Sequence, residues 1–379
     1  MSDGRDNPST PFPDGVPVLV DTATGVILRA HGEADLPAIA EQCRDADTQR
    51  WTTVPIPAGG YGVADARSFV DSHARDGWVS GQAPTWAIEA PVGEANVFCG
   101  SISLRLEGDG IAEIAFGLHP AARGRSIMSS AIRLSRDYGF DVLGLRVLRW
   151  RAVVGNWGSR RAVAAAGFRF DGTVRQLLVH RGELLDGWVA TMTADDPRPS
   201  LGWADPPVLT GADIVLRPFV QSDAPRIVEA CSDPRTRHWL VSLPAPYGRP
   251  EAMDFLEATR ETAAQRTGLN WCVADRSSGV CLGSISLLGF GGYSRRAEIG
   301  YWAHPGARGA GVTTAAVQLV TEHAEANHLI DSLVIRCAAG NTASRHVAEG
   351  SGYQLSGVLP TAEPLGDGSL ADLVTYSRP

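Results

Sequence analysis

Apolar and polar positions alternate along the chain in a pattern that occurs twice. Short alternating runs predict strands at Val26–Arg29 and Ile214–Arg217, each followed by a stretch with helical spacing, Leu36–Cys43 and Ala224–Cys231. A loop rich in proline and glycine comes next, then a second helical stretch, Ala64–Ala74 and Glu251–Glu261. Two strands follow in each copy, around Thr85–Ala90 with Val97–Arg105, and Trp271–Ala274 with Cys281–Leu288. A strand carrying an acid (Glu113 or Glu298), a glycine-bearing turn and a helix come after them. A further strand (Leu333–Cys337 in the second copy), a polar corner, another helix and a closing strand pair complete the unit. Strands mixed with helices, with antiparallel hairpins and one crossover, predict an α+β or α/β domain built around one mixed sheet.

The two copies keep register. Glu113 and Glu298, His119 and His304, Arg123 and Arg308, Asn156 and Asn341, Ser159 and Ser344, and Gly167 and Gly352 are each 185 residues apart. Trp86 and Trp271 keep the same offset, while Gly-Ser-Ile-Ser at Gly100–Ser103 and Gly283–Ser286, Tyr61 with Tyr247, and Trp51 with Trp239 recur at slightly shifted ones. Solenoid repeats run to about 20–50 residues, so a unit this long is a duplicated domain. Residues 1–25 read as an N-terminal tail with a short apolar patch, Val16–Val20. Residues 26–194 read as the first domain, the Pro-rich stretch 195–210 as a linker, and 211–379 as the second domain.

Composition narrows the possibilities. A length of 379 residues and a hydrophobic share of 44% suffice for two cores. A formal net charge of −8 argues against nucleic acid or an anionic membrane as partner. No apolar run approaches the ~20 residues that span a bilayer, and the first residues lack the apolar core of a secretory signal; the expected location is the cytoplasm. The six cysteines, Cys43, Cys99, Cys231, Cys272, Cys281 and Cys337, form no C-x-x-C pair, and no histidine pair has zinc-finger spacing. They read as buried thiols in a reducing compartment, with no metal.

Candidate chemistry gathers around the turn. In Arg308-Gly309-Ala310-Gly311-Val312-Thr313 the glycines permit a tight reversal, and the helix that opens there offers unpaired amides and its positive dipole end. Such a turn can hold a pyrophosphate or serve structure alone. Asn341 and Ser344 follow the next strand, where Asn-x-x-Ser also suits a helix cap. Glu298 is either a proton acceptor or a salt-bridged strand acid. His119 and His304, each before a proline, read as loop residues. Trp51, Trp86, Trp239, Trp271 and Trp302 read as core or cleft wall, and Tyr353 as core. Asp186 and Asp372 read as a turn network or as acceptor contacts.

Ala-Glu-Ile-Gly-Tyr at 297–301, His304-Pro305, Arg308-Gly309-Ala310-Gly311, and Asn341-Thr342-Ala343-Ser344-Arg345 with Gly352-Tyr353, echoed in the first copy, resemble the GNAT superfamily of N-acetyltransferases, in its RimJ/RimL-like branch. The resemblance covers nearly all of residues 26–379. It implies two tandem GNAT domains, each a twisted, mixed, mostly antiparallel sheet flanked by helices, whose strands splay to admit the pantetheine arm of acyl-CoA. It implies acyl-CoA contacts from Tyr301, Trp302, Ala303, Arg308, Gly309, Ala310, Gly311, Val312, Thr313, Asn341, Ser344 and Arg345, and in the first copy from Arg123, Gly124, Arg125, Ser126 and Asn156. Glu298 (Glu113 in the first copy) would take the proton of an attacking amine, and Ser344 (Ser159) would stand beside the departing thiolate. Backbone N–H groups of Tyr301–Ala303 would polarise the thioester carbonyl. Thr313 is a mild departure from the family's turn. The first copy departs further: Ser126 stands where the turn prefers glycine, and Met128 would place a long side chain over it, both weakening a CoA site, while Arg125 adds a positive charge. No cysteine stands at a matched position near the site, in agreement with direct attack in a ternary complex. The expected activity is transfer of an acetyl group from acetyl-CoA, with no metal, by the second copy. The acceptor would be an amine on a small molecule or a protein N-terminus, and the protein a monomer or homodimer. The alternatives are an acyl-CoA sensor without turnover, and a non-acetyl donor used in secondary metabolism or antibiotic resistance.

Overall fold

The computed structural model describes residues 15–198, 203–289, 296–327 and 330–378. Residues 1–14 of the expected tail and 199–202 of the expected linker lie outside that set. The chain divides into two units, Met1–Gly202 and Trp203–Pro379.

The first unit runs β1 (Leu19–Asp21), β2 (Val26–Arg29), α1 (Leu36–Arg44), α2 (Ala46–Trp51) and a helical run made of α3 (Val63–Ser68), a π-helical stretch (Phe69–Ala74) and α4 (Arg75–Val79). Then come β3 (Thr85–Val92), β4 (Ala95–Gly108), β5 (Ile111–Leu118), α5 (Ile127–Asp141), β6 (Val147–Val153), α6 (Trp157–Ala165), β7 (Arg169–His180) and β8 (Glu183–Thr193). The second unit repeats the plan: β9 (Leu209–Thr210), β10 (Ile214–Arg217), α7 (Ala224–Ser232), α8 (Pro234–Trp239), α9 (Arg249–Gln265), β11 (Gly268–Asp275) and β12 (Cys281–Leu288). It closes with β13 (Arg296–Ala303), α10 (Val312–Ala326), β14 (Ser332–Ala338), α11 (Thr342–Gly350), β15 (Gln354–Pro364) and β16 (Leu370–Arg378). Each unit forms one eight-stranded sheet, ordered β1-β2-β3-β4-β5-β6-β8-β7 and, in mirrored listing, β15-β16-β14-β13-β12-β11-β10-β9. Every strand pair is antiparallel except β5 with β6 and β13 with β14, the pairs joined by the long helices α5 and α10. The hydrophobic pattern implies one mixed sheet in each domain, and its mostly antiparallel pairing is what the family resemblance implies.

Both faces of each sheet are covered. In the first unit Trp86, Ile102, Ile114 and Leu148 pack with Ile132 of α5, while Ala87 and Phe98 meet Leu36, Ile39 and Val70 from the opposite side. Two details recur and explain the repeat. Arg29 grips both oxygens of Asp35 at 2.8 Å, as Arg217 grips Asp223, tying the first long strand to the start of the next helix. A Cβ at Gly100 would stand 2.1 Å from the Gly117 carbonyl oxygen, and one at Gly283 2.5 Å from that of Trp302. Only glycine lets the strands meet so closely, which accounts for the recurring Gly-Ser-Ile-Ser.

The tail and linker boundaries need correction. Val16 is buried in the first core, and Leu19–Asp21 pairs with Val26–Leu28 as the edge strand β1. Likewise Leu209–Thr210 pairs with Val215–Leu216. The cause lies in two core tryptophans: the buried indole N–H of Trp86 donates to Pro17 O at 3.0 Å, and that of Trp271 to Pro207 O at 2.7 Å. A buried N–H needs an acceptor, and the segment preceding each domain supplies it.

Candidate acyl-transfer site

The site is made by the parallel strand pair. β13 pairs with β14 only through Arg296–Glu298, opposite Ser332–Val334. Residues 299–303 stay bonded to β12 but have no strand partner on the other edge among the described residues. The sheet therefore opens immediately after Glu298, and Tyr301, Trp302 and Ala303 lie along the opening. The first unit opens at the same place, after Glu113.

The glycine turn follows. Gly309 and Gly311 have φ of 76° and 74°, the left-handed region, and α10 starts at the next residue. A Cβ at either glycine would meet nothing within 4 Å, so the turn presents a bare backbone beside a helix N-terminus, a fit for a phosphate group. In the first unit Gly124 has φ 74° and Ser126 φ 58°, so the backbone path is retained with a serine in a conformation that disfavours side chains. The expected obstruction by Met128 is overturned. Its side chain is buried in the core together with Ile127, Ala131 and Ile132, because it lies on the inward face of the first turn of α5.

The arginine of the turn is committed elsewhere. Arg308 Nη2 donates to Asp233 Oδ1 at 2.5 Å and to Thr236 Oγ1 at 2.8 Å, and Arg123 repeats this with Asp45 (2.5 Å) and Thr48 (3.0 Å). Asp233 and Asp45 cap α8 and α2, so the arginines fasten the turn to a neighbouring helix. Arg345 is also engaged, donating to Tyr376 Oη at 2.9 Å and Ala339 O at 3.3 Å.

At the corner after β14, Asn341 Oδ1 accepts the Ser344 N–H at 3.2 Å, and Asn156 does the same for Ser159 at 3.3 Å. The asparagine is the helix cap, which leaves the serine hydroxyl for other work. In the second unit that hydroxyl meets Tyr301 Oη at 2.9 Å, and the phenol also reaches Ser344 O at 3.1 Å. A β13 side chain thus bridges the opening to α11. Burial pushes the Tyr301 phenol well above its ordinary pKa, so it stays a donor at neutral pH. In the first unit Phe116 stands at the tyrosine position, and Ser159 Oγ instead accepts the indole N–H of Trp150 at 3.0 Å. Cys337 lies beside Ser344, and burial raises its thiol pKa while the serine hydrogen bond opposes that shift. A cysteine therefore does stand near the site, with Ala152 as its counterpart 185 residues earlier.

Glu298 is held by Arg336 of β14, whose Nε donates at 2.8 Å; Glu113 pairs with Arg151 at 2.7 Å. The acid at the opening is thus salt-bridged in both copies. Its partner arginine, also repeated at 185, escaped the sequence reading. His304 takes a structural place: Nδ1 accepts from Gly306 N (3.0 Å) and Arg226 Nη2 (2.9 Å), which leaves Nε2 to donate to Glu229 at 2.8 Å. Asp372 Oδ1 accepts from Thr361 N at 3.0 Å and Asp186 Oδ1 from Gln176 N at 2.9 Å, each pinning a left-handed residue of the closing hairpin. Tyr353 is core, with its hydroxyl 2.8 Å from Thr321 Oγ1.

All six cysteines are buried and unpaired. Among the described residues one set of potential metal ligands is close together, Asp223, Cys272 and Cys281, within 4.8 Å of one another. Arg217 already engages both Asp223 oxygens, and the first unit keeps the same arginine–aspartate pair with Ala87 and Phe98 at the neighbouring strand positions; the pair serves the fold. Among the described residues no helix is long and apolar enough to cross a membrane.

A mixed sheet that opens beside a helix-initiating glycine turn, present twice, defines an acetyltransferase-type domain in tandem. The chain belongs to the GNAT acetyltransferase family: the profile described as Acetyltransferase (GNAT) domain matches residues 26–169 and 213–354, more than half of the chain. The ribosomal-protein-serine acetyltransferase of Escherichia coli (strain K12) is 33% identical over 97 residues, 26% of this chain and 54% of that protein. The match thus spans about half of that relative's length. Among solved structures, the RimL ribosomal L7/L12 alpha-N-protein acetyltransferase in complex with coenzyme A is 20% identical, covering 45% of this chain and 97% of that one, with a TM-score of 0.42. A GNAT acetyltransferase from Bacillus anthracis is 17% identical, covering 45% and 98%, with a TM-score of 0.41.

Proposed function

We propose that the second domain transfers an acyl group, acetyl by default, from acyl-CoA to an amine by direct attack. The observation that carries this reading is the combination, at one opening, of the bare left-handed turn Gly309–Gly311 and the Tyr301–Ser344 hydroxyl pair. The turn and the N-terminus of α10 would hold the pyrophosphate, and the pantetheine arm would lie between β13 and β14. The amine nitrogen attacks the thioester carbon and the C–S bond breaks; the Ser344 hydroxyl donates a hydrogen bond to the departing thiolate, and the proton the sulfur finally carries is the one the amine sheds, so the serine ends as the hydroxyl it began as. When the single Tyr301 phenol proton turns from the Ser344 carbonyl oxygen to Ser344 Oγ, the serine proton would be free to point at the sulfur. Glu298 would take the amine's proton only when its tie to Arg336 yields, directly or through water.

The first domain keeps the frame but has Phe116 for Tyr301 and a serine side chain at the turn, which favours the second domain as the working one. The test is release of free CoA thiol from acetyl-CoA across a panel of amines, with Gly311→Trp as the control variant. Amine-dependent release by the wild type, with acetyl-CoA binding lost in the variant, is the expected result. Acetyl-CoA binding unchanged by Gly311→Trp would sink the assignment.

A further inference from the structure

Two of the six buried thiols stand together. Cys272 of β11 and Cys281 of β12 share a small apolar cluster with Ala274, at 0% and 1% exposure, and their sulfurs lie within 4.8 Å of each other. A register shift brings them near. Val273 pairs with Gly283 but Ala274 with Cys281, so Leu282 is the extra residue of a bulge and the two cysteines stand diagonally on one face. The Arg217 guanidinium beside them favours negative charge on the pair. Cys281 opens β12 directly after the exposed Val280, so the pair lies at the mouth of the hairpin, one residue from solvent. The first domain has Ala87 and Phe98 at these places, and the second alone carries the two thiols.

The pair is tied to the opening of the sheet. Ser284 of β12 pairs with Cys272 on one side and with Trp302 of β13 on the other, one row across three strands. Trp302 packs on the thiol cluster and lies in the stretch of β13 beyond its pairing with β14. The row has little slack, since a Cβ at Gly283 would stand 2.5 Å from Trp302 O.

We infer that Cys272 and Cys281 are a redox-modification site: a two-electron oxidant such as hydrogen peroxide joins them in a disulfide that displaces Trp302 and weakens acyl-CoA binding at the second domain's opening. One thiolate attacks a peroxide oxygen, the O–O bond breaks, and the sulfur becomes a sulfenic acid while hydroxide leaves and takes up the proton that the thiol shed. The other sulfur then attacks the sulfenic sulfur, the S–O bond breaks and a second water departs. Two thiols and one peroxide thus give one disulfide and two waters. A disulfide holds its sulfurs about 2.05 Å apart, so closing it draws β11 and β12 together at the row that Trp302 shares. The effect on acyl-CoA rests on the second domain being the acyltransferase; the bond itself does not.

The test treats the full chain with hydrogen peroxide, maps disulfides by non-reducing peptide mass spectrometry, and titrates acetyl-CoA by calorimetry before oxidation, after it, and after dithiothreitol. The wild type is expected to gain a Cys272–Cys281 bridge, to lose about fivefold to tenfold in acetyl-CoA affinity, and to recover with dithiothreitol. Cys272→Ala, which copies Ala87, should form no bridge and keep its affinity under peroxide. Thiols that stay reduced, a bridge to Cys231 of α7 instead, a bridge that leaves affinity unchanged, or the same loss in Cys272→Ala would each overturn the inference. A Cys272–Cys281 bridge in a chain that binds no acetyl-CoA even when reduced would keep the redox site and overturn the acyltransferase reading instead.

Discussion

At the scale of single residues, the two copies act as each other's controls. Tyr301 and Phe116 occupy equivalent positions, so Tyr301→Phe installs a side chain that the same strand already accommodates. The variant should fold normally and lose about tenfold or more in kcat, because Ser344 loses the hydroxyl partner that orients it. Burial raises the Tyr301 pKa, so the phenol is protonated on both sides of neutrality and the loss should be flat across that range. A loss that titrates near neutral pH would instead mean a phenolate acting as base. His31 offers a stability test in the first domain. It is 3% exposed, its Nε2 lies 2.9 Å from Ser101 Oγ, and burial pushes its pKa down to about 4, with Arg29 reinforcing the shift and Asp35 opposing it. The unfolded chain protonates this group near the ordinary value of 6.5. The stabilisation is therefore fully present above that pH and is lost as pH falls from there towards 4, by about 3 kcal/mol over the whole window. His31→Phe copies Phe219 of the second domain and should flatten that part of the profile; urea unfolding at pH 7 and pH 5 reads the difference, and an unchanged slope would refute it.

At the scale of elements, the arginine of the turn distinguishes holding the loop from holding the ligand. Arg308 fastens the turn to the cap of α8 through Asp233 and Thr236. Arg308→Ala should cost about 1–2 kcal/mol in a thermal melt and weaken acyl-CoA binding only through the loosened turn. An unchanged melt with a salt-sensitive loss of affinity would mean that the guanidinium touches phosphate directly. Helices and long strands were legible in the sequence because burial imposes a period of 3.6 or 2 on them. The edge strands Leu19–Asp21 and Leu209–Thr210 were not, since two or three residues carry no period; only the indole acceptors they provide explain them. Met128 was misplaced for the opposite reason. Its i,i+4 partner Ile132 marks it as core, yet the residue also falls at the sixth position of the turn motif, where the two patterns overlap. The Tyr301–Ser344 contact joins residues 43 apart across an opening in the sheet, which no local pattern encodes, although the tyrosine–phenylalanine difference between copies was there to be seen.

At the scale of the whole chain, duplication has kept one frame and allowed two sites to diverge. Both turns enter their helices through a left-handed residue, but the first domain does so with Ser126, at a strain of roughly 1 kcal/mol. The surrounding fold therefore dictates the turn without needing glycine. What glycine adds at position 311 is open space, with nothing within 4 Å of where a Cβ would project; at position 126 a Cβ and hydroxyl stand there. If that space is what a pyrophosphate needs, the wild-type chain should bind one acetyl-CoA by calorimetry. Gly311→Trp should take the count to none, and Ser126→Gly should raise it towards two while leaving the turnover number per chain unaltered, since Phe116 still lacks the hydroxyl. Two equal sites in the wild type would show that the serine is no barrier and that the domains differ in chemistry alone. A count that stays at one in Ser126→Gly would place the block elsewhere in the first domain's opening, where Trp150 rather than a tyrosine holds the serine.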